Sequence, residues 1–431
     1  MKNINIKHII IKRALSILTF TYILFMAGCG NSSQMAEHDI SIGVTEDDTQ
    51  IDDESQSDSN SDAVAGVYQE IYDEVAGSDS VNDGQNREII RAIVQKLGEK
   101  GYVVIDSDNQ IDMANKEQVL QFCESVDKQE EARLEILVIG TAERFTKYEL
   151  NTADGIVDVL KETYQYNNEC FENAAAVNYR ADSWQYTEEG YLIFTGSSYS
   201  EESYVLTMSD VPEAVALRVE PLDGQCREYN DCYIFSVGYG RNNMFLCDWS
   251  EGDYGELDFY DVFDRFYQTV YQKAVPYVAD ENINIGAVYQ IPEEEFESVV
   301  TPHFAIDAEI LHSKTKYLPE QKAYEYRPRG FHEVEYTNIP YPEVVGYTIN
   351  DDGTITLTVN AVYPSEGTSK AFSHEVVIRP LEDGAFQYVS NTVLQSKDDY
   401  GTGWHTDRLT EEEWGEIYGQ QPQPLANSQF I

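Results

Sequence analysis

Apolar residues recur at helical spacing in two stretches beyond residue 60. Val64, Val67, Tyr68, Ile71, Tyr72 and Val75 predict a helix over 63–76. Ile89, Ile90, Ile93, Val94 and Leu97 predict a second over 85–99, with Gly101 just past its end as a stop. A short extended piece at 102–105 leads into the turn Asp106-Ser107-Asp108-Asn109, and 115–127 reads as a third helix. From residue 134 the period changes to two. Strands are predicted at 134–139, 144–150, 155–166, 176–186, 190–196, 203–208, 215–220, 231–238 and 243–249. Ala153-Asp154-Gly155, Glu188-Glu189-Gly190 and Tyr239-Gly240-Arg241-Asn242 are hairpin signals between successive members. Phe259, Val262, Phe263, Phe266 and Val270 then mark a helix over 258–273.

A second unit starts near Pro292. Pro at the first helical turn, followed by Glu293, Glu294 and Glu295, is a good helix start, and Phe296, Val299 and Val300 form its inner face. Helix continues over 306–314 after a break at Pro302. Strands follow at 322–327, 331–337, 344–349, 354–363, 371–380 and 385–394, with hairpin turns at Asn350-Asp351-Asp352-Gly353 and Glu382-Asp383-Gly384. The expected fold class is therefore α+β: N-terminal helices and antiparallel strands over 63–280, then a smaller α+β domain over 290–396 made of two helices and an antiparallel meander. Residues 397–431 read as a polar tail with one short helix at 411–418.

The N-terminus has a different pattern. Lys2, Lys7, Lys12 and Arg13 precede an almost wholly apolar run over 14–27, and small residues Ala27 and Gly28 precede Cys29. Basic start, apolar core and small-residue cleavage site mark residues 1–28 as a secretory signal. The run is short for a membrane-spanning helix, which needs about 20 residues. Residues 30–62 carry ten acids and no Lys, Arg or aromatic residue, so 29–62 reads as an acidic disordered tether. A flexible chain of that length spans on the order of 30 Å.

The segment Met26-Ala27-Gly28-Cys29 resembles the cleavage box of bacterial lipoproteins, with Met26 where Leu is commonest. The resemblance implies that the Cys29 thiol receives a diacylglycerol and becomes the new N-terminus. Two acyl chains suffice for stable anchoring, and the expected location is the outer face of the cell membrane. The body also resembles an uncharacterised group of lipoproteins from clostridia-like Gram-positive bacteria. Leu97-Gly98-Glu99-Lys100-Gly101-Tyr102, Asn109-Gln110-Ile111-Asp112-Met113 and Tyr324-Glu325-Tyr326-Arg327-Pro328-Arg329-Gly330 carry that resemblance, which covers most of 63–395 and brings no activity with it.

Charge narrows the partners. Without the four basic residues of the signal, 25 Lys and Arg stand against 77 Asp and Glu, a net of −52. Such a surface repels nucleic acid and anionic headgroups. Five cysteines follow Cys29: Cys123, Cys170, Cys226, Cys232 and Cys247. Cys232 and Cys247 could face one another across a hairpin, Cys226 and Cys232 are also close in sequence, or all five are small buried hydrophobes.

Candidate chemistry is sparse. Asp106, Asp108, Asp112 and Glu117 fit positions of a calcium loop, but Ile111 stands where the sharp turn needs Gly. His332 and His374, both on predicted strands and each followed by Glu, could approach one another; no His-Glu-x-x-His pattern occurs. Gly196-Ser197-Ser198 follows a strand but no helix start follows it, and Gly238-Tyr239-Gly240 reads as a turn. The residues point to no cofactor and no metal. Tyrosine is the unusual enrichment, at 31 residues. Tyr324, Tyr326, Tyr336 and Tyr341 cluster in sequence with Arg327 and Arg329, and Tyr324, Tyr326, Arg327, Arg329 and Tyr336 form the candidate binding surface. The expectation is a non-enzymatic lipoprotein tied to the membrane through Cys29, binding an envelope protein or a glycan. The alternative is an extracytoplasmic hydrolase of wall polymer. Solute capture fits less well, because antiparallel hairpins replace the alternating parallel α/β lobes of solute-binding lipoproteins.

Overall fold

A computed structural model describes residues 54–75, 83–167, 170–279, 285–335, 338–394 and 403–419. Cys29 and Tyr336 lie outside the described residues. The architecture is α+β.

Two helices open the chain, α1 (Glu54–Val75) and α2 (Asp83–Glu99). The first begins nine residues before its predicted start, inside the segment read as tether. Strand β1 (Val103–Asp106) and helix α3 (Lys116–Lys128) follow. Next come β2 (Ala132–Thr141), β3 (Arg144–Ala153), β4 (Ile156–Asn167), β5 (Cys170–Tyr186) and β6 (Tyr191–Ser198). Helix α4 (Glu201–Thr207) and strand β7 (Val211–Arg218) close the series. The seven strands form one sheet in chain order; β1 pairs parallel with β2 and the rest is an antiparallel meander. Parallel pairing requires a crossover, and α3 supplies it.

Alternation along the strands sorts side chains to two faces. Ile136 and Val138 meet Val119, Phe122 and Val126 of α3 on one face. Leu137 and Ile139 meet Tyr68, Ile93 and Leu97 of α1 and α2 on the other. The β3–β4 turn places Asp154 and Gly155 at φ 53° and 76°, the left-handed pair that a tight hairpin requires. Gly190, at φ 85°, lies so close to Glu220 that a Cβ there would meet its side chain.

The later part begins with a short α5 (Gly224–Tyr229) running into a π-turn at Asn230–Ile234. Strand β8 (Trp249–Ser250) and helix α6 (Phe259–Tyr271) follow. After them come β9 (Tyr289–Pro292), α7 (Glu293–Val300), α8 (Ala308–Lys314), β10 (Tyr317–Leu318) and β11 (Ala323–Tyr326). The strands β12 (Tyr341–Ile349), β13 (Ile355–Val362), β14 (Ser373–Pro380) and β15 (Phe386–Leu394) complete a meander, and α9 (Glu411–Tyr418) is the last helix. β8 returns to pair with β15, making a five-stranded sheet in the order β12-β13-β14-β15-β8; β10, β11 and β9 form a small third sheet.

One hydrophobic cluster gathers Ile234, Phe245 and Trp249 with Val262, Phe263, Phe296, Leu357 and Tyr388. Helix α6, which the sequence places in the first domain over 63–280, thus shares its core with the later strands. Phe263 stacks on Phe296 of α7 with centroids 4.9 Å apart. Between the two large sheets sits a buried polar knot. Tyr191 Oη of β6 donates to Glu343 Oε1 of β12 at 2.7 Å, and Arg218 Nη1 of β7 donates to Glu343 Oε2 at 2.7 Å. Tyr191 and Arg218 are each within reach of the same carboxylate, so both its oxygens are satisfied, as a buried charge requires.

Four predicted strands are replaced. Residues 203–208 form α4, whose N-terminus is capped by the Ser200 hydroxyl accepting from the Ser203 amide. Residues 231–238 fall in the π-turn and the turns after it, and 243–249 are turns that end in the two-residue β8. Of 331–337, the described part opens with a 3₁₀ turn at Phe331–Glu333. In each case a short apolar run without sustained alternation has no face to assign, and packing decides its conformation. The Cys232–Cys247 hairpin accordingly does not exist, and Cys123, Cys226, Cys232 and Cys247 are free thiols.

Candidate functional site

The candidate binding surface is largely interior. Tyr324 is 0% and Tyr326 1% exposed. Tyr324 stacks on Phe296 at 4.3 Å and donates its hydroxyl to Glu297 Oε1 at 2.9 Å. The Tyr326 hydroxyl donates to Asp264 Oδ1 at 2.6 Å. Arg329 is buried and forms a two-pronged pair with Asp261, Nε to Oδ1 at 2.9 Å and Nη2 to Oδ2 at 2.7 Å. Among the described members only Arg327 is part-exposed; it pairs with Glu325 and Glu411 and lies 4.7 Å over the Trp414 ring. Arginine and tyrosine sit here because α6 brings carboxylates to meet them, which no local pattern announces.

Those carboxylates form a ladder on α6: Asp258, the N-cap, then Asp261 and Asp264. The segment read as a polar tail supplies their second counter-ion. Arg408 Nη2 donates to Asp264 Oδ2 at 2.6 Å and its Nε to Asp261 Oδ1 at 3.0 Å, with the guanidinium over Tyr326 and Tyr260. Burial alone would lower the Arg408 pKa, but the charges of Asp264, Asp261 and Asp258 hold it well above the ordinary arginine value. Burial, then the Asp261 charge, pushes Asp258 up to about 6. Three carboxylates on two guanidiniums is a closed structural cluster, with good geometry and low exposure.

A second convergence lies where α7 faces α8. Glu293 and Glu297 are four residues apart on α7, so both carboxylates project from one face. His312, on the last turn of α8, points its Nε2 at both, 3.5 Å from Glu297 Oε1 and 4.0 Å from Glu293 Oε2. The imidazole lies flat on Tyr317, with centroids 3.5 Å apart and planes 6° from parallel. Tyr317 in turn donates its hydroxyl to Glu293, as Tyr324 does to Glu297. The three ligand atoms of Glu293, Glu297 and His312 lie within 4.8 Å of one another. Glu293 was legible only as part of a helix start and Glu297 was not singled out; their spacing of four, with a histidine on the next helix, is the signal that would have found them.

The remaining candidates separate. His374 is buried, pairing its Nε2 with the Tyr239 hydroxyl at 3.0 Å and its Nδ1 with Asn391 at 2.8 Å. His332 sits on the 3₁₀ turn beside Phe331 and Tyr418, so the two histidines have different neighbours and share no site. Asp106 accepts the amides of Gln110 and Ile111 at 3.0 and 2.7 Å, closing its own turn, and Asp112 pairs with Arg227. Ser198 donates to Glu213 at 2.8 Å, and Lys161 neutralises that carboxylate.

One surface feature had no sequence warning. The α4 knuckle between β6 and β7 exposes Tyr199, Tyr204, Val205, Leu206 and Met208, with Leu206 84% and Met208 74% exposed. Single exposed apolar residues are ordinary; five within ten positions on one protrusion make a candidate interaction surface.

No helix among the described residues is long and apolar enough to cross a membrane. No curated protein and no solved structure matches the chain. A family model does, described as a family of unknown function (DUF6070), over residues 54–408, which takes in the α6 ladder, Arg408, the Glu293–Glu297–His312 cluster and the α4 knuckle. On that match, spanning most of its length, the chain belongs to DUF6070.

Proposed function

We propose that this protein is a lipid-anchored extracytoplasmic lipoprotein whose folded body docks an envelope protein through the α4 knuckle, without catalysing a reaction. The observation that carries the reading is the exposed run Tyr199–Met208, whose large apolar side chains are left uncovered by the described residues. The N-terminal signal and Cys29 supply the anchor, through the resemblance of Met26-Ala27-Gly28-Cys29 to a lipoprotein box. Charge favours a protein over a lipid surface as the occupant. Exposed Glu201 and Asp210 flank the knuckle, and the chain is strongly acidic throughout. Anionic headgroups would be repelled, whereas an apolar pocket rimmed by Lys or Arg on a partner would be complementary.

Two experiments test the halves separately. Cells expressing Cys29→Ala are fractionated; release of the mature protein from the membrane is expected, and retention at mature size overturns the anchor. A photo-crosslinking residue is placed at Leu206 in intact cells, with exposed Ala175 on β5 as the control position. One discrete adduct from position 206, absent from 175 and lost when Met208→Asp is added, is expected. Equal adducts from both positions, or none, overturn the docking surface. Met208→Asp itself is expected to change folding stability by no more than about 0.5 kcal/mol, since the residue touches little.

A further inference from the structure

The two places where carboxylates converge are neutralised differently. On α6, Asp261 and Asp264 are met by Arg329 and Arg408. On α7, the ion pairs that Glu293 and Glu297 make among the described residues are with His312 alone. Two part-buried carboxylates thus converge on a single imidazole, and the His312 Nε2 atom is shielded from solvent yet makes no hydrogen bond. Something of positive charge that accepts nitrogen and oxygen donors together would complete this site.

We propose that Glu293, Glu297 and His312 bind one divalent transition-metal ion, with zinc as the expected occupant. The donor set is one imidazole nitrogen and two carboxylate oxygens. That set suits zinc and its first-row neighbours rather than calcium, which takes oxygen ligands. Zinc bonds to such atoms at about 2.0–2.2 Å, which puts tetrahedral ligands roughly 3.3 Å apart. The separations of 3.5 and 4.0 Å from His312 Nε2 are near that value, so side-chain motion on the order of 1 Å closes the site. Two negative carboxylates balance the ion's charge.

The surroundings have the character of an outer shell. Tyr317 and Tyr324 each donate a hydroxyl to one ligand carboxylate. A carboxylate oxygen has two lone pairs, so the phenol occupies one and leaves the other free. Stacking on Tyr317 fixes the ring plane of His312. Such partners orient ligands before the metal arrives. The scaffold is firm on both sides: α7 packs Phe296, Val299 and Val300 into the core, and α8 is N-capped by the Asp307 side chain accepting from the Ile310 amide. Three protein ligands leave a fourth position open to water or to a donor from a partner.

The test uses the full-length protein in detergent, stripped with chelator and dialysed. Zinc is titrated calorimetrically, and cobalt is added as a spectroscopic probe of coordination. Expected are one zinc per chain with micromolar or tighter affinity, a cobalt spectrum showing a bound low-symmetry site, and a rise in melting temperature with zinc. Glu293→Gln and His312→Gln are each expected to weaken zinc by about tenfold or more with circular dichroism unchanged, while Glu294→Gln, one position off the site, is neutral. Tyr324→Phe is expected to weaken zinc less than either ligand variant. Absence of saturable zinc binding to the wild-type protein, or binding unaltered by both ligand variants, overturns the proposal. A ligand variant that fails the circular dichroism check leaves the wild-type titration and cobalt spectrum to decide.

Discussion

Arg408 holds Asp264 at 2.6 Å across 144 residues of chain, pinning the segment after the last sheet strand onto helix α6. The same guanidinium reaches Asp261, which Arg329 grips from the other side. Removing Arg408 leaves buried carboxylates short of a counter-ion. Arg408→Met is therefore expected to destabilise the protein by about 3–5 kcal/mol, measured as a shift of the urea midpoint at unchanged slope. Arg327→Met, whose partners are more exposed, is expected to cost about 1 kcal/mol or less. Equal losses from the two would refute the structural role of the ladder.

Gly286 and Trp414 make a second tie between distant segments. The Trp414 ring lies so close to Gly286 that a Cβ at that position would overlap it. Gly286→Ala should displace α9 and cost on the order of 1–3 kcal/mol, the usual penalty for overpacking. Faster proteolysis within 403–419, with the remaining body intact, is the expected readout. An unchanged digestion pattern would mean that α9 accommodates the methyl group.

Two buried imidazoles and several buried carboxyls pull acid stability in opposite directions. Burial lowers His303 to about 4, and burial outweighs the Asn391 hydrogen bond to lower His374 to about 4. Unfolded histidines take up protons below about 6.5, so between 4 and 6.5 the unfolded chain binds more protons and stability falls as pH falls. Asp258, raised to about 6, acts oppositely: the folded protein keeps that proton while the unfolded chain loses it, so stability falls as pH rises through that window. Asp106, Asp231, Asp264 and Glu343, whose pKa values burial also raises, act in the same sense as Asp258 and oppose the histidines. The histidine contribution is isolated by His374→Gln, which should lose less stability than the wild type between pH 6.5 and 4, read from the urea midpoint. Equal losses in the two proteins over that range would contradict the role given to His374.

Thiol reactivity should report the cysteines one class at a time. Cys170 is exposed, whereas burial pushes Cys123 and Cys232 up to about 11 and Cys247 up to about 12. The thiolate is the reactive form, so native protein at neutral pH should label at Cys170 first, with the others reacting in denaturant. Mass spectrometry of labelled peptides checks the order. Failure of any of the five to label after denaturation without reductant would reveal a disulfide.

Much of the frame could be read from residue order. The 3.6-residue spacing of Ile89, Ile93 and Leu97, and of Val262, Phe263 and Phe266, marks α2 and α6, and those residues are buried where the spacing put them. Asp154-Gly155 and Asn350-Asp351-Asp352-Gly353 turn the chain where turn chemistry demands it. These signals are local: a helical face, a strand face and a positive φ are properties of a few adjacent residues. The resemblance of Met26-Ala27-Gly28-Cys29 to a lipoprotein box, on which the proposed anchor rests, is local in the same sense.

Tertiary packing decided the rest. Tyr324, Tyr326 and Arg329 look like a surface in sequence because tyrosine and arginine suit either a partner or a core. They are interior because Asp261, Asp264 and Glu297, from 27 to 68 positions away, converge on them. The run at 203–208 has strand-like residues but no sheet position to fill, since β6 already pairs directly with β7, and it protrudes as α4. His312 meets Glu293 and Glu297 only once α8 folds back beside α7. Residue order determined which segments are regular and which face of each is apolar. Which charges meet, and which apolar side chains stay uncovered, depended on contacts between segments far apart in the chain, where no periodicity extends.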